Sequence, residues 1–107
     1  MSACIPFAPA RGSNYVVTAT ITSQSITIGA GNHSIRVVNV GSVVGYFATY
    51  KASDETYTCT NKETPVAVTG SAGSTLIIEK PLDHDTIAFL ADSTTTIMHF
   101  QPGEGGY

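Results

Sequence analysis

The chain has 107 residues, which is enough for one domain with a modest hydrophobic core. Charged residues make up only 12% of it, against roughly 25% in an average domain, and the formal net charge is −3. The five Lys and Arg residues are scattered and no apolar run approaches the roughly 18 residues of a membrane span, so the composition argues against nucleic-acid binding through a basic face and against a membrane protein.

Residues 1–14 are predicted to form an extended arm. Pro6 and Pro9, with Ala, Gly and Ser around them, favour extended and unpaired backbone. Ile5 and Phe7 are apolar, so the arm is expected to lie along its own sheet or on a neighbour; a partly ordered terminus is the alternative. The segment lacks the basic and long apolar regions of a signal peptide, so we expect synthesis in a cytoplasm, where a disulfide between Cys4 and Cys59 is not expected.

The most informative stretch is residues 34–50, where two runs rich in β-branched and aromatic residues meet at Asn39-Val40-Gly41-Ser42. This turn chemistry predicts a β-hairpin. Ile35 and Val37 are expected on one face, with Arg36 and Val38 on the other. Apolar residues on both faces predict that the hairpin is covered on both sides, by a second sheet or by a neighbouring subunit. Gly45 indicates a bulge or a close approach of another chain segment.

Further short strands are predicted along the rest of the chain, with no segment of helical periodicity. Pro65 places its strand at a sheet edge or at a strand start. The polar stretch 51–64 is either a short edge strand or a long loop, and the tail 101–107 is predicted not to continue a strand. The predicted strands cover residues 15–21, 25–28, 65–69, 74–80, 86–91 and 94–100. The fold class is therefore all-β: an antiparallel β-sandwich of jelly-roll type over residues 15–100, with an N-terminal arm (1–14) and a C-terminal tail (101–107).

No pattern in the sequence indicates catalysis or a cofactor. A jelly-roll metal enzyme needs a His-x-His pair, and His33, His84 and His99 form none. Asp83-His84-Asp85 follows a proline and precedes a strand, so we interpret it as a turn. The sequence contains no nucleophile elbow for a catalytic serine. Asp54-Glu55 is interpreted as part of a solvated loop. We expect no enzyme, no metal and no cofactor.

The five tyrosines leave two alternatives open, because aromatic side chains on a β-surface occur both in sugar-binding faces and in protein interfaces. The chain has no Trp, so a carbohydrate-binding module is the less favoured of the two.

The second half of the chain carries a resemblance. It combines Ile35-Arg36-Val37-Val38-Asn39-Val40-Gly41-Ser42, a Pro-Val strand, a Leu-Ile-Ile strand, Thr-Ile-Ala-Phe-Leu-Ala, a Thr-rich last strand and a Pro-Gly-Glu-Gly-Gly tail. This succession resembles small structural proteins of tailed bacteriophages over residues 35–106, about two-thirds of the chain. Residues 101–106 are its most distinctive part. The arm and the polar stretch after Tyr50 are not covered.

The resemblance implies a non-catalytic decoration (cement) protein on the capsid surface of a virion, synthesised in the host cytoplasm. Its partners would be the major capsid protein and copies of itself, in a homotrimer. Other virion parts, namely a head–tail connector, fibre or tail component, are the alternative. Ile5 and Phe7 are predicted to anchor on a neighbouring subunit or on the capsid. The candidate partner-binding residues are Ile5, Phe7, Arg11, Tyr57 and Tyr107.

Overall fold

A computed structural model describes residues 8–9 and 14–104, and within them it contains nine β-strands and no helix. Each predicted strand is present, with ends shifted by a few residues. The stretch 51–63 holds no strand, so the long-loop alternative is the correct one. The strands are β1 (Ala8–Pro9), β2 (Tyr15–Thr20), β3 (Gln24–Thr27), β4 (Ser34–Asn39), β5 (Gly45–Tyr50), β6 (Thr64–Val66), β7 (Thr75–Glu79), β8 (Thr86–Ala91) and β9 (Thr95–Glu104).

The strands form two antiparallel sheets packed face to face, which confirms the predicted all-β sandwich. Sheet A has the order β2-β9-β4-β7, and the two-residue β1 lies beside the far end of β9. Sheet B has the order β3-β8-β5-β6. The prediction that the Pro65 strand lies at an edge is confirmed, because β6 is the last strand of sheet B. The jelly-roll form of the sandwich stays a prediction.

The predicted hairpin over residues 34–50 is wrong. β4 pairs with β7 and β9 in sheet A, whereas β5 pairs with β6 and β8 in sheet B. The residues between them, 40–44, therefore cross from one sheet to the other as an arch. The same Asn-x-Gly chemistry serves both kinds of connection, because each reverses the chain within a few residues. Cover on both sides was expected; the facing sheet buries one side of each strand, and the residues on the other side are mostly half-buried.

The prediction that the C-terminal tail cannot continue a strand is wrong for residues 101–104, which extend β9 to Glu104. Pro102 lies inside this strand, opposite Ile35 of β4. On the other side of β9, the register with β2 ends at Phe100 and that with β1 begins at Gly103. Pro102 belongs to neither of these two registers, so its missing N–H removes none of the ladder bonds described there.

The core lies between the two sheets and is built from the faces that alternation predicts. Ile35 and Val37 are fully buried, whereas Arg36 and Val38 on the opposite face of β4 are half-buried. Phe100 of β9 packs at its centre, with ring centroids 6.0 Å from Phe47 and 5.8 Å from Phe89. The predicted close approach at Gly45 is confirmed.

Gly45 has room for no side chain, because an added Cβ would overlap the sulfur of buried Met98 on the facing sheet.

One buried amide holds the two sheets together at the arch. Asn39 is 1% exposed and uses both ends of its side chain. Its Nδ2 donates to Val43 O at 2.8 Å and to Val66 O of β6 at 3.2 Å. Its Oδ1 accepts from Gly41 N at 2.9 Å and from Thr96 Oγ1 of β9 at 2.7 Å. The side chain therefore joins the arch, sheet A and sheet B through four hydrogen bonds.

We predict that Asn39→Asp lowers the free energy of unfolding by about 2–4 kcal/mol, because it turns the Nδ2 donor into an oxygen facing two buried carbonyls. Urea unfolding followed by circular dichroism measures the loss. Asn61→Asp, on an exposed loop residue, is the matched control and should change stability little. Equal stability of the two variants would contradict the role given to Asn39.

Candidate functional site

Four of the five predicted partner-binding residues, Ile5, Phe7, Arg11 and Tyr107, lie outside the described residues. What the structure does place is the point where the terminal segments join the sandwich. Ala8 of β1 pairs with Glu104 of β9, so residues 1–7 and 105–107 are attached to adjacent positions at one end of sheet A. Ile5, Phe7 and Tyr107 therefore lie on two segments that leave the sandwich at one point, which we name the root, whereas Arg11 lies in the sequence between β1 and β2.

The root is fastened to the loop between β3 and β4 by a carboxylate. Glu104 Oε2 accepts from the backbone N of His33 at 2.8 Å, and Oε1 lies 2.5 Å from His33 Nδ1. The N–H groups of His33, backbone first, lower the pKa of Glu104 below its usual value. Because both side chains are about half exposed, solvent screens this contact and weakens its electrostatic part.

The fifth predicted residue, Tyr57, lies in the long loop 51–63, which folds over the outer face of sheet B. This loop creates a second, smaller apolar cluster outside the main core, in which Tyr50, Cys59 and Ala88 are buried. Tyr57 is half-buried against it, with its ring centroid 6.1 Å from that of Tyr50 and its hydroxyl donating to Glu63. The partner-binding role of Tyr57 stays a prediction, but its ring already contributes to an internal contact.

Cys59 fixes the far end of this loop. Its backbone N donates to Ser23 Oγ at 2.8 Å, so the loop reaches across sheet B to the connection between β2 and β3. Its thiol is free and buried, and burial, with a smaller contribution from Glu63, raises its pKa to about 11. A thiol in this state is neutral at physiological pH and is a packing group rather than a nucleophile.

Each of the three histidines has a different hydrogen-bonding partner. His33 contacts Glu104, His84 Nδ1 lies 2.9 Å from Thr49 Oγ1, and His99 Nδ1 lies 3.0 Å from Asn14 Nδ2. In the described part of the chain, no group of three or more His, Cys, Asp or Glu residues could hold a metal ion.

The segment 80–85 is a structural turn, as interpreted from the sequence. The backbone N of His84 donates to Pro81 O at 3.1 Å. The buried Lys80 amine closes the same turn by donating to Pro81 O and, at 2.8 Å, to His84 O. Asp85 accepts from Ala52 N at 3.1 Å and from Thr86 Oγ1 at 2.9 Å, and these bonds lower its pKa. The Lys80 amine and the Asp85 carboxylate therefore stabilise the loops around them.

Sequence reasoning missed one surface, which we name the neutral side: strands β2 and β3 with the connection Ile21–Ser23 between them. A signal for it was available, because residues 12–35 contain no Asp, Glu, Lys or Arg. Val16 of β2 is 59% exposed and Ile21 is 67% exposed. Ile97 of β9, which pairs with Thr18 of β2, is 43% exposed beside them. Three of the five exposed large apolar side chains described are thus gathered at this edge of sheet A.

No family model, curated protein or solved structure matches this chain. In the described residues, no helix has the length and apolar character that crossing a membrane would require. The functional argument therefore rests on the arrangement of surfaces, loops and terminal segments.

We predict that Cys59 in a Cys4→Ser chain reacts with a thiol reagent at pH 8 about a hundredfold more slowly than an ordinary thiol, because a pKa of about 11 in place of 9.0 lowers the thiolate fraction by that factor. Absorbance of the released chromophore measures the rate. The same chain unfolded in urea is the control and should react at the ordinary rate. Fast labelling of the folded chain would show that loop 51–63 does not cover sheet B.

We also predict that the free energy of unfolding falls in acid because of Glu104 and Asp85, whose carboxylates accept hydrogen bonds from loop backbone. Their pKa values are lowered by the folded structure, so their stabilisation is fully present above the ordinary values of 4.5 and 3.8. It is lost as the pH falls through the lowered folded values. The variants Glu104→Gln and Asp85→Asn should each reduce the fall in unfolding free energy on acidification, measured by urea titrations at a series of pH values. Glu55→Gln, in an exposed loop position, should leave that fall unchanged.

Proposed function

We propose that this chain is a non-catalytic structural protein of a virion that decorates and stabilises a phage capsid, binding the major capsid protein and copies of itself. The observation that carries the proposal is the shared root of the two terminal segments. Both segments leave the β-sandwich beside the paired residues Ala8 and Glu104. A protein that links lattice neighbours needs a stable body and extensions that reach another subunit. Many weak contacts of this kind add up, because each is effectively intramolecular after the first.

The strand order supports the jelly-roll form that the strand pattern of the sequence predicts for the body. Eight strands after β1 divide four and four, β2-β9-β4-β7 against β3-β8-β5-β6. All connections among them except β5 to β6 pass from one sheet to the other. This winding favours two Greek keys rolled together, the arrangement found in viral capsid domains among others.

The described side chains give the other function classes less support. Tyr50 is buried and Tyr15, Tyr46 and Tyr57 are half-buried, so a sugar would find no fully exposed tyrosine ring in the described part of the chain. The titratable groups that could serve an enzyme instead hold loops and turns. A head–tail connector, fibre or tail component remains the alternative within the same class, since it would use the same body and extensions.

The experiment uses capsids of the encoding phage prepared without this chain, to which purified protein is added. We predict that the full chain co-sediments with the capsids and raises their unfolding temperature. Deleting residues 2–7 should abolish co-sedimentation, because it removes Ile5 and Phe7. The deletion stops before Ala8 so that β1 is kept, and circular dichroism checks the fold. Ser2→Ala, in the same segment, is the control that should bind like the parent.

If the chain that lacks residues 2–7 co-sediments as well as the full chain, the arm does not bind the capsid. Absence of the full chain from both the added capsids and purified virions would overturn the proposed function itself. Detection only at the tail or at the vertex that carries it would favour the connector or tail alternative.

A further inference from the structure

The two open sides of the sandwich are built differently. Each sheet ends in two edge strands, and an edge strand exposes backbone N–H and C=O groups that can pair with another chain. Proteins that stay monomeric block such edges with prolines, charges or very short strands. β2 and β3 are joined by only three residues, so they form one side, and β6 and β7 form the other.

The side formed by β6 and β7 is blocked in several of these ways. β6 is only three residues long and contains Pro65. Lys62 and Glu63 precede it directly. β7 ends with the exposed Glu79, and Pro81 follows one residue after the buried Lys80. A further strand would have to bury charge on this side or pair with a proline.

The neutral side has none of these protections. β2 is the longest of the four edge strands, with six residues, and β3 has four. Neither contains a proline or a charged residue. Among the described residues, β2 pairs with β9 alone and β3 with β8 alone.

The apolar side chains and the charge distribution identify the partner. Val16 and Ile21 are exposed on this side, and Ile97 is exposed on the neighbouring strand β9. None of the eight Asp and Glu residues belongs to β2, to β3 or to the connection between them. A strongly charged partner would find no complementary charge here. A second copy of the chain that approaches through the same side brings no carboxylate into the contact, although each copy carries a net charge of −3.

We propose that the neutral side is the interface with a second copy of this chain, formed by edge-to-edge strand pairing that starts at β2. Pairing of β2 with β2 of the second copy produces a two-fold dimer. Pairing of β2 with β3 of the second copy is heterologous, and it gives a ring, such as the trimer that the phage resemblance implies, if the rotation between copies closes. In both arrangements the backbone edge of β2 is covered, and Val16 lies beside a side chain of the added strand on the same face.

This inference specifies the self-association part of the proposed function, but it concerns the free chain and needs no capsid. Light scattering after size-exclusion chromatography measures the mass of the full chain, whose monomer is 11.2 kDa. We predict a mass of two or three copies for the parent chain. Val16→Lys should shift the mass to that of one copy, because it places a like charge from each copy at the paired edge.

Leu82→Lys is the matched control, because Leu82 is also an exposed apolar residue, at 48%, but lies between β7 and β8. It should keep the parent mass. Circular dichroism and thermal unfolding establish that both variants fold. Thr18→Lys, exposed on the same strand, is a second variant that should also dissociate the assembly.

A parent chain that is monomeric at tens of micromolar would overturn the inference. So would a Val16→Lys chain that folds and keeps the parent mass, or equal dissociation by Leu82→Lys. Failure here is distinguishable from failure of the proposed function: an oligomer that does not bind capsids contradicts only the latter, and a monomer that binds them contradicts only the former.

Discussion

The fold depends on a polar interaction at a place where an apolar one would be expected. The Asn39 side chain lies between two sheets that otherwise meet through Ile, Val, Phe and Met side chains, and all its hydrogen-bonding capacity is used by groups from the arch, from β6 and from β9. Four bonds with defined directions specify how the arch leaves sheet A and where β6 lies on sheet B. Apolar packing alone tolerates several such arrangements, whereas a half-satisfied buried amide does not. The low charge of the chain is consistent with this use of neutral amides and hydroxyls.

The alternation of side chains made much of this fold predictable. It placed Ile35 and Val37 in the core and identified Gly45 as a point of close approach. It could not tell which strands pair, because the partner of β4 is β9, which lies far along the chain, and local turn chemistry at residues 39–42 carries no information about it. Pro102 misled for a related reason: a proline is compatible with a strand at a position that donates no ladder bond, and which positions donate depends on the pairing of β9 with distant strands.

The surfaces were less predictable than the core. Tyr57 is predicted to bind a partner, but the polar stretch that contains it folds back on sheet B. The ring is therefore partly covered. The neutral side went unnoticed because its signal is an absence: 24 consecutive positions, residues 12–35, without a formal charge. Such a run gains meaning only when both strands within it prove to be sheet edges. Within the described residues, the chain thus covers one outer face with its own loop, whereas the edge at β2 carries no proline and no charge.

The position of β9 has a consequence for how the chain reaches this structure. β9 is the last described strand to be synthesised, yet it lies in the middle of sheet A, between β2 and β4. Tyr15 therefore has no partner until Phe100 has emerged, and the strand beside it must be brought in from the far end of the sequence. Folding dominated by pairing between such distant segments is slow, because the entropy of closing the loop is lost before the contacts form. In a nascent chain β2 is a bare strand on both flanks, and the absence of charge that suits it to pairing also makes this interval the one most prone to aggregation.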